Sequence, residues 1–163
     1  IGFIPPETSD STEINVAYHD ACHLAHAQKI RSAPRSLLKS VTGITLLEPA
    51  EWEICCGSAG SYNIEHPDTA KELGKRKVAN LYDTGADIIA TGNIGCLAQI
   101  EFHSKDKKSP IRVVHTVELL DGMNGEEVQA LTKDYSPNTA SSPARITDAS
   151  GVRPVQYSIP ITP

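Results

Sequence analysis

Residues 67–96 read PDTAKELGKRKVANLYDTGADIIATGNIGC. The first part predicts a helix. Pro67 and Asp68 suit its first turn, and Gly85 suits the position just past its end. Ala70, Leu73, Gly74, Val78 and Leu81 recur at helical spacing on one face, into which Lys77 intrudes. DIIATGN then predicts a strand that is apolar without alternation, as strands covered on both faces are. A glycine loop and a short helix, IGCLAQIEFH, follow it. Helix, doubly covered strand, glycine loop and helix in succession are the grammar of a parallel α/β sheet.

The flanks repeat that grammar. INVAYHD gives a strand over Ile14–Tyr18, and APRSLLKSVTG gives a helix with Pro34 in its first turn and Gly43 past its end. ITLLEP is a second strand, EWEICCGSAGSYNIEH a loop, IRVVHT a fourth strand and VELLDGM a last helical turn or two. The expected fold is one small α/β domain over residues 14–123, with a parallel sheet of about four strands, flanking helices and right-handed crossovers. Residues 1–13 are polar and Pro-bearing and read as a linker. Residues 124–163 are rich in Ser, Thr and Pro without sustained period, and read as a disordered tail with one helical turn near Glu126–Leu131.

Composition narrows the function. At 163 residues the chain is long enough for one domain with its own core. It is 39% apolar and 21% charged, the profile of an ordinary soluble protein. A net charge of −5 argues against nucleic acid as a partner. No apolar run reaches the length of a membrane span, and the first ten residues do not read as a signal peptide. The chain lacks an initiating Met and is expected to be a piece of a longer protein.

The four cysteines carry the chemistry. Cys22 follows the first strand, Cys55 and Cys56 lie in the loop after the second, and Cys96 follows the third at a helix start. Strand-to-helix loops of a parallel sheet share one edge, where ligands bind. Cysteines with 32 and 39 residues between them can therefore converge there. A disulfide between the neighbours Cys55 and Cys56 would be strained, so two adjacent thiols read better as two ligands from one loop. CGSAG and TGNIGC let backbone approach a cofactor closely. Four thiolates suit zinc or an iron–sulfur cluster. Four inert buried cysteines explain their shared edge less well.

Other groups weigh less. His19, His23 and His26 flank Cys22, and one of them is expected to hydrogen-bond a cysteine sulfur rather than ligate metal, although a Cys/His zinc site is conceivable. Trp52 reads as packing, and SKDKK (104–108) as a solvated loop. TGNIG is too short for a dinucleotide fingerprint. No arrangement of Ser, His and carboxylates calls for a hydrolase, and no catalytic residue is assigned.

YHDACHLAHAQ, CCGSAGSYN and GNIGCLAQI, in that order, resemble the cysteine-rich CCG domain family. That family occurs in heterodisulfide reductases and in the iron–sulfur subunits of glycolate and lactate oxidation complexes. The resemblance spans about residues 14–122 and is nearest to the C-terminal CCG domain of glycolate oxidase iron–sulfur subunits. The family pattern is a Cys, a long gap, Cys-Cys-Gly, a long gap, then Cys-x-x-Cys. Cys22, Cys55, Cys56, Gly57 and Cys96 match it, and Gln99 stands where the final Cys would be. The resemblance implies an iron–sulfur cluster on Cys22, Cys55, Cys56 and Cys96, of the 4Fe–4S type, with zinc as the alternative. It implies electron transfer from an FAD in a partner subunit that oxidises glycolate or a lactate-type 2-hydroxy acid, onward to an acceptor. The domain then belongs to an oxidoreductase without being catalytic itself. Its implied place is the cytoplasm, and through the complex the inner face of the cell membrane. A zinc-stabilised interaction module and a thiol–disulfide redox domain are the competing readings.

Overall fold

A computed structural model describes residues 13–121. The readings of 1–12 and 122–163 as linker and tail lie outside the described residues. The strands are β1 (Ile14–His19), β2 (Ile44–Leu47), β3 (Ile88–Thr91) and β4 (Arg112–His115). The helices are α1 (Ser32–Lys39), α2 (Tyr62–Glu65), α3 (Pro67–Tyr82), α4 (Ile94–Ser104) and α5 (Thr116–Asp121). All strand pairs are parallel, in the order β2-β1-β3-β4, so the expected α/β sheet of four strands with flanking helices forms.

The register is set by which face each residue must bury. Val16 pairs with Leu46 on one side and Ile88 on the other, and Ala90 pairs with Val114. Ile14, Val16, Tyr18, Ile88, Ala90 and Val114 point to one face, where Leu38 of α1 and Leu119 of α5 cover them. Ala17, Ile89 and Val113 point to the other, against Val78 and Leu81 of α3 and Ile100 of α4. Covering on both faces explains why β3 is apolar from Ile88 to Ala90 and buried along its whole length.

Helix α3 spans the predicted stretch and begins at Pro67. The predicted α1 is shorter than expected: it ends at Lys39, and Gly43, at φ +86°, turns the chain into β2 instead of capping the helix. Lys77 is fully buried on the apolar face of α3. Its ammonium donates to the carbonyls of Glu51 (2.8 Å) and Trp52 (3.2 Å), which is how the fold tolerates a charge there. Helices α3 and α4 approach so closely that a Cβ at Gly74 would lie 2.2 Å from the His103 ring.

Two segments read as loops contain helix. His23–Ala27, after Cys22, forms a short π-helical turn. Tyr62–Glu65 forms α2 at the end of the Cys55–Cys56 loop. Both follow directly on cysteine segments, where short turns let the backbone change direction without a long loop.

Candidate metal centre

The strand order reverses between β1 and β3: β2 flanks β1 on one side and β3 flanks it on the other. In open parallel sheets the crevice at such a switch point, beyond the carboxyl ends of the strands, is where ligands bind. Cys22 follows β1, Cys96 follows β3, and the Cys55–Cys56 loop arrives from β2. All four sulfur-bearing residues line one cleft of about 410 Å³, together with His23, Ser58, Asn93 and Gly95. The sequence-predicted convergence is present in the structure, with every cysteine a free thiol.

Each arm of the cleft is held by its own local structure. Cys96 sits in the first turn of α4, where the Asn93 side chain caps the helix by accepting from the Cys96 backbone N–H at 3.1 Å. Gly57 has φ +88° and its N–H donates to Cys55 Sγ at 3.3 Å. Arg35 of α1 forks onto Asp20 (2.9 and 2.6 Å) and Glu48 (2.7 and 2.8 Å). Asp20 lies two residues before Cys22 and Glu48 at the end of β2, so one guanidinium clamps the roots of both cysteine segments. Glu51, at φ +49°, is fixed to α3 by Arg76 and by Asn80 (2.9 Å).

The sulfurs are coupled. The thiols of Cys22 and Cys56 hydrogen-bond to Cys55, and these bonds lower the Cys55 thiol below its ordinary range. The same bond to Cys55, followed by burial, pushes Cys22 up. Cys56 is pushed up by its bonds to Cys55 and Cys96 and by burial. Cys96 is drawn down, first by the Cys56 thiol and then by the neighbouring His19, against the effect of burial. A run of sulfurs that already stabilises thiolate is the donor chemistry that soft metals and iron–sulfur clusters select.

The three histidines separate. His26 is out of the cleft: its Nε2 pairs with the Glu53 carbonyl at 3.1 Å, and its ring stacks on Trp52 at 6.2 Å. Arg31 covers the same Trp52 ring at 4.0 Å. His23 lines the cleft. His19 is fully buried, and one of its ring nitrogens and the sulfurs of Cys56 and Cys96 all lie within 4.8 Å of one another. Gln99 is not among the lining residues of the cleft, and its amide pairs with His103 Nε2 at 3.2 Å. Sequence reasoning missed the Arg35 clamp, the Lys77 tether and the Asn93 cap. Only the last had a local signal, an Asn three residues before a helical Cys.

A family model for the CCG cysteine-rich domain matches residues 16–101, more than half of the chain. The chain belongs to the CCG domain family. Lactate utilization protein A of Oceanobacillus iheyensis is 34% identical over 106 residues, covering 65% of this chain and 43% of that protein. The probable glycolate oxidase iron–sulfur subunit of Bacillus subtilis is 36% identical over 107 residues, covering 64% of this chain and 24% of that protein. The match to this CCG domain thus takes in less than half the length of either relative. No described helix is long and apolar enough to cross a membrane.

Proposed function

We propose that this CCG domain holds an iron–sulfur centre through Cys22, Cys55, Cys56 and Cys96 and relays electrons within a complex that oxidises glycolate or a lactate-type 2-hydroxy acid. The observation that carries the reading is four sulfurs from three loops lining one cleft at the switch point of the sheet. The names of the two relatives support the iron–sulfur part and the class of complex. A bound cluster would supply one-electron chemistry, and this chain's residues would set its potential by thiolate charge, hydrogen bonds and burial. In this proposal electrons arrive from a flavin-bearing partner subunit and leave to an acceptor, and the domain itself abstracts no proton.

Anaerobic purification followed by iron, sulfide and zinc analysis tests it. Iron and acid-labile sulfide in comparable amounts, with a paramagnetic signal on reduction, are expected. Zinc without sulfide would replace this reading with a zinc-stabilised interaction module. Metal-free protein that cycles between thiol and disulfide would replace it with a thiol redox domain.

A further inference from the structure

We propose that the imidazole of His19 is itself a ligand of the metal centre, a further donor beside the cysteines. This rests on the reading above that the cleft holds a metal. His19 is the last residue of β1 and is fully buried. Neither Nδ1 nor Nε2 makes a hydrogen bond of ordinary geometry among the described residues, and the polar group the ring does act on is the Cys96 sulfur, which it draws toward thiolate. A buried imidazole whose polar surroundings are cysteine sulfurs is a cost that native proteins rarely leave unmet. A ring nitrogen lies within 4.8 Å of the sulfurs of both Cys56 and Cys96, which makes His19, Cys56 and Cys96 a three-donor cluster of fully or largely buried groups.

The register explains how His19 gets there. Ala17 packs in the cluster that contains Cys56 and Cys96. His19 is two residues further along the same strand, so it presents to the same face, one pleat nearer the carboxyl edge. Its partner across the ladder, Thr91, also carries a buried hydroxyl without a partner, so the polar orphans gather where the cysteines converge. Gln99, at the position of the missing thiolate, has its amide engaged with His103, whereas His19, itself not among the residues lining the cleft, lies beside Cys56 and Cys96. Imidazole binds both zinc and iron, and replaces thiolate in Rieske-type clusters with a rise in potential.

The test uses the full chain with ¹⁵N-histidine incorporated, reconstituted anaerobically with iron and sulfide, reduced, and measured by pulsed electron paramagnetic resonance. A histidine-nitrogen coupling of the strength of direct ligation is expected in the wild type and in His26→Gln, whose ring stands outside the cleft lining. It should be lost in His19→Gln. In parallel, titration with cobalt(II) should show affinity reduced more than about 10-fold in His19→Gln, since even loss of an outer-sphere partner costs that much, and unchanged in His26→Gln. If His19→Gln does not fold, a wild-type coupling that disappears in His23→Gln overturns the proposal, and one that survives both His23→Gln and His26→Gln supports it. A centre that forms with no strong histidine coupling, or with one that survives His19→Gln, overturns the proposal and leaves the thiolate centre standing. A wild type that takes up neither iron nor cobalt overturns the metal reading beneath it.

Discussion

Gly57 lies against Ala70 so closely that a Cβ at Gly57 would meet the Ala70 carbonyl oxygen at 2.4 Å. That oxygen belongs to the first turns of α3 and cannot swing aside as a side chain could. The glycine after the paired cysteines is thus required twice, by φ +88° and by the approach of the helix. Gly60 also has positive φ, at +59°, but open space around it. Gly60→Ala should cost about 1 kcal/mol, the left-handed penalty alone. Gly57→Ala should cost roughly 3 kcal/mol as clash adds to strain and should lower metal uptake, because the loop that carries Cys55 and Cys56 must shift. Urea unfolding of the metal-free chains compares the two; equal costs would show that helix contact does not constrain Gly57.

Arg35 ties Asp20 to Glu48 through paired bonds, with the Asp20 side chain only 4% exposed. Removing the guanidinium strands a buried carboxylate. Arg35→Leu should destabilise by about 3 kcal/mol, whereas Arg35→Leu combined with Asp20→Asn should cost clearly less than the two single changes added together. A double-mutant cycle by chemical denaturation measures the difference. Additive effects would mean that Arg35 and Asp20 do not couple, which would remove the clamp at the Cys22 end.

The α/β class, the four strands and the shared edge of the cysteines were legible because each rests on local sequence. Pro67 and Gly85 bracket α3, and the apolar run Ile88–Ala90 of β3 announces cover on both faces. Which cysteine couples to which was not legible, because it depends on the strand order β2-β1-β3-β4, a tertiary property. Lys77 looked like a flaw in an amphipathic face, since its partners are backbone carbonyls 25 and 26 residues away that no periodicity reveals. Gln99 was legible as a departure from the family pattern, and its pairing with His103 only from the structure. Among three nearby histidines, His19 and His26 are told apart only by the structure, which buries the one and bonds the other to the Glu53 carbonyl.

Tyr18 is buried beneath Arg35, and burial first, then the nearby Asp20 carboxylate, push its phenol up from 10.0 to about 12. The raised value means that the unfolded chain loses this proton more readily than the folded one. The stability it contributes is therefore complete below pH 10 and is lost as pH rises from 10 to about 12. Thiols and other groups titrate in the same region, so the difference between the wild type and Tyr18→Phe isolates the effect. The wild type should lose more stability than Tyr18→Phe over that window, by an amount on the order of 2 kcal/mol. Urea midpoints at pH 9, 10, 11 and about 12 (set by the Tyr18 shift) measure it, and parallel curves would show that Tyr18 ionises as freely in the fold as out of it.

The cleft and the family pattern make opposite demands on position 99. Read from the pattern, Gln99 occupies a ligand position, and changing it should alter metal binding. Read from the structure, its amide is engaged with His103 and stands outside the residues that line the cleft, while Cys96 is one of them, capped in place by Asn93. Gln99→Ala should therefore leave iron per chain and the spectrum of the reconstituted protein as they are, at a stability cost of about 1 kcal/mol for one lost side-chain hydrogen bond. Cys96→Ser should abolish or sharply reduce iron uptake, because a hydroxyl is a harder and far weaker ligand than thiolate, while the serine still fills the space at the start of α4. Iron and sulfide analysis of both variants beside the wild type separates these demands. Loss of iron in Gln99→Ala would place the amide at the metal, and full iron in Cys96→Ser would remove Cys96 from the ligand set.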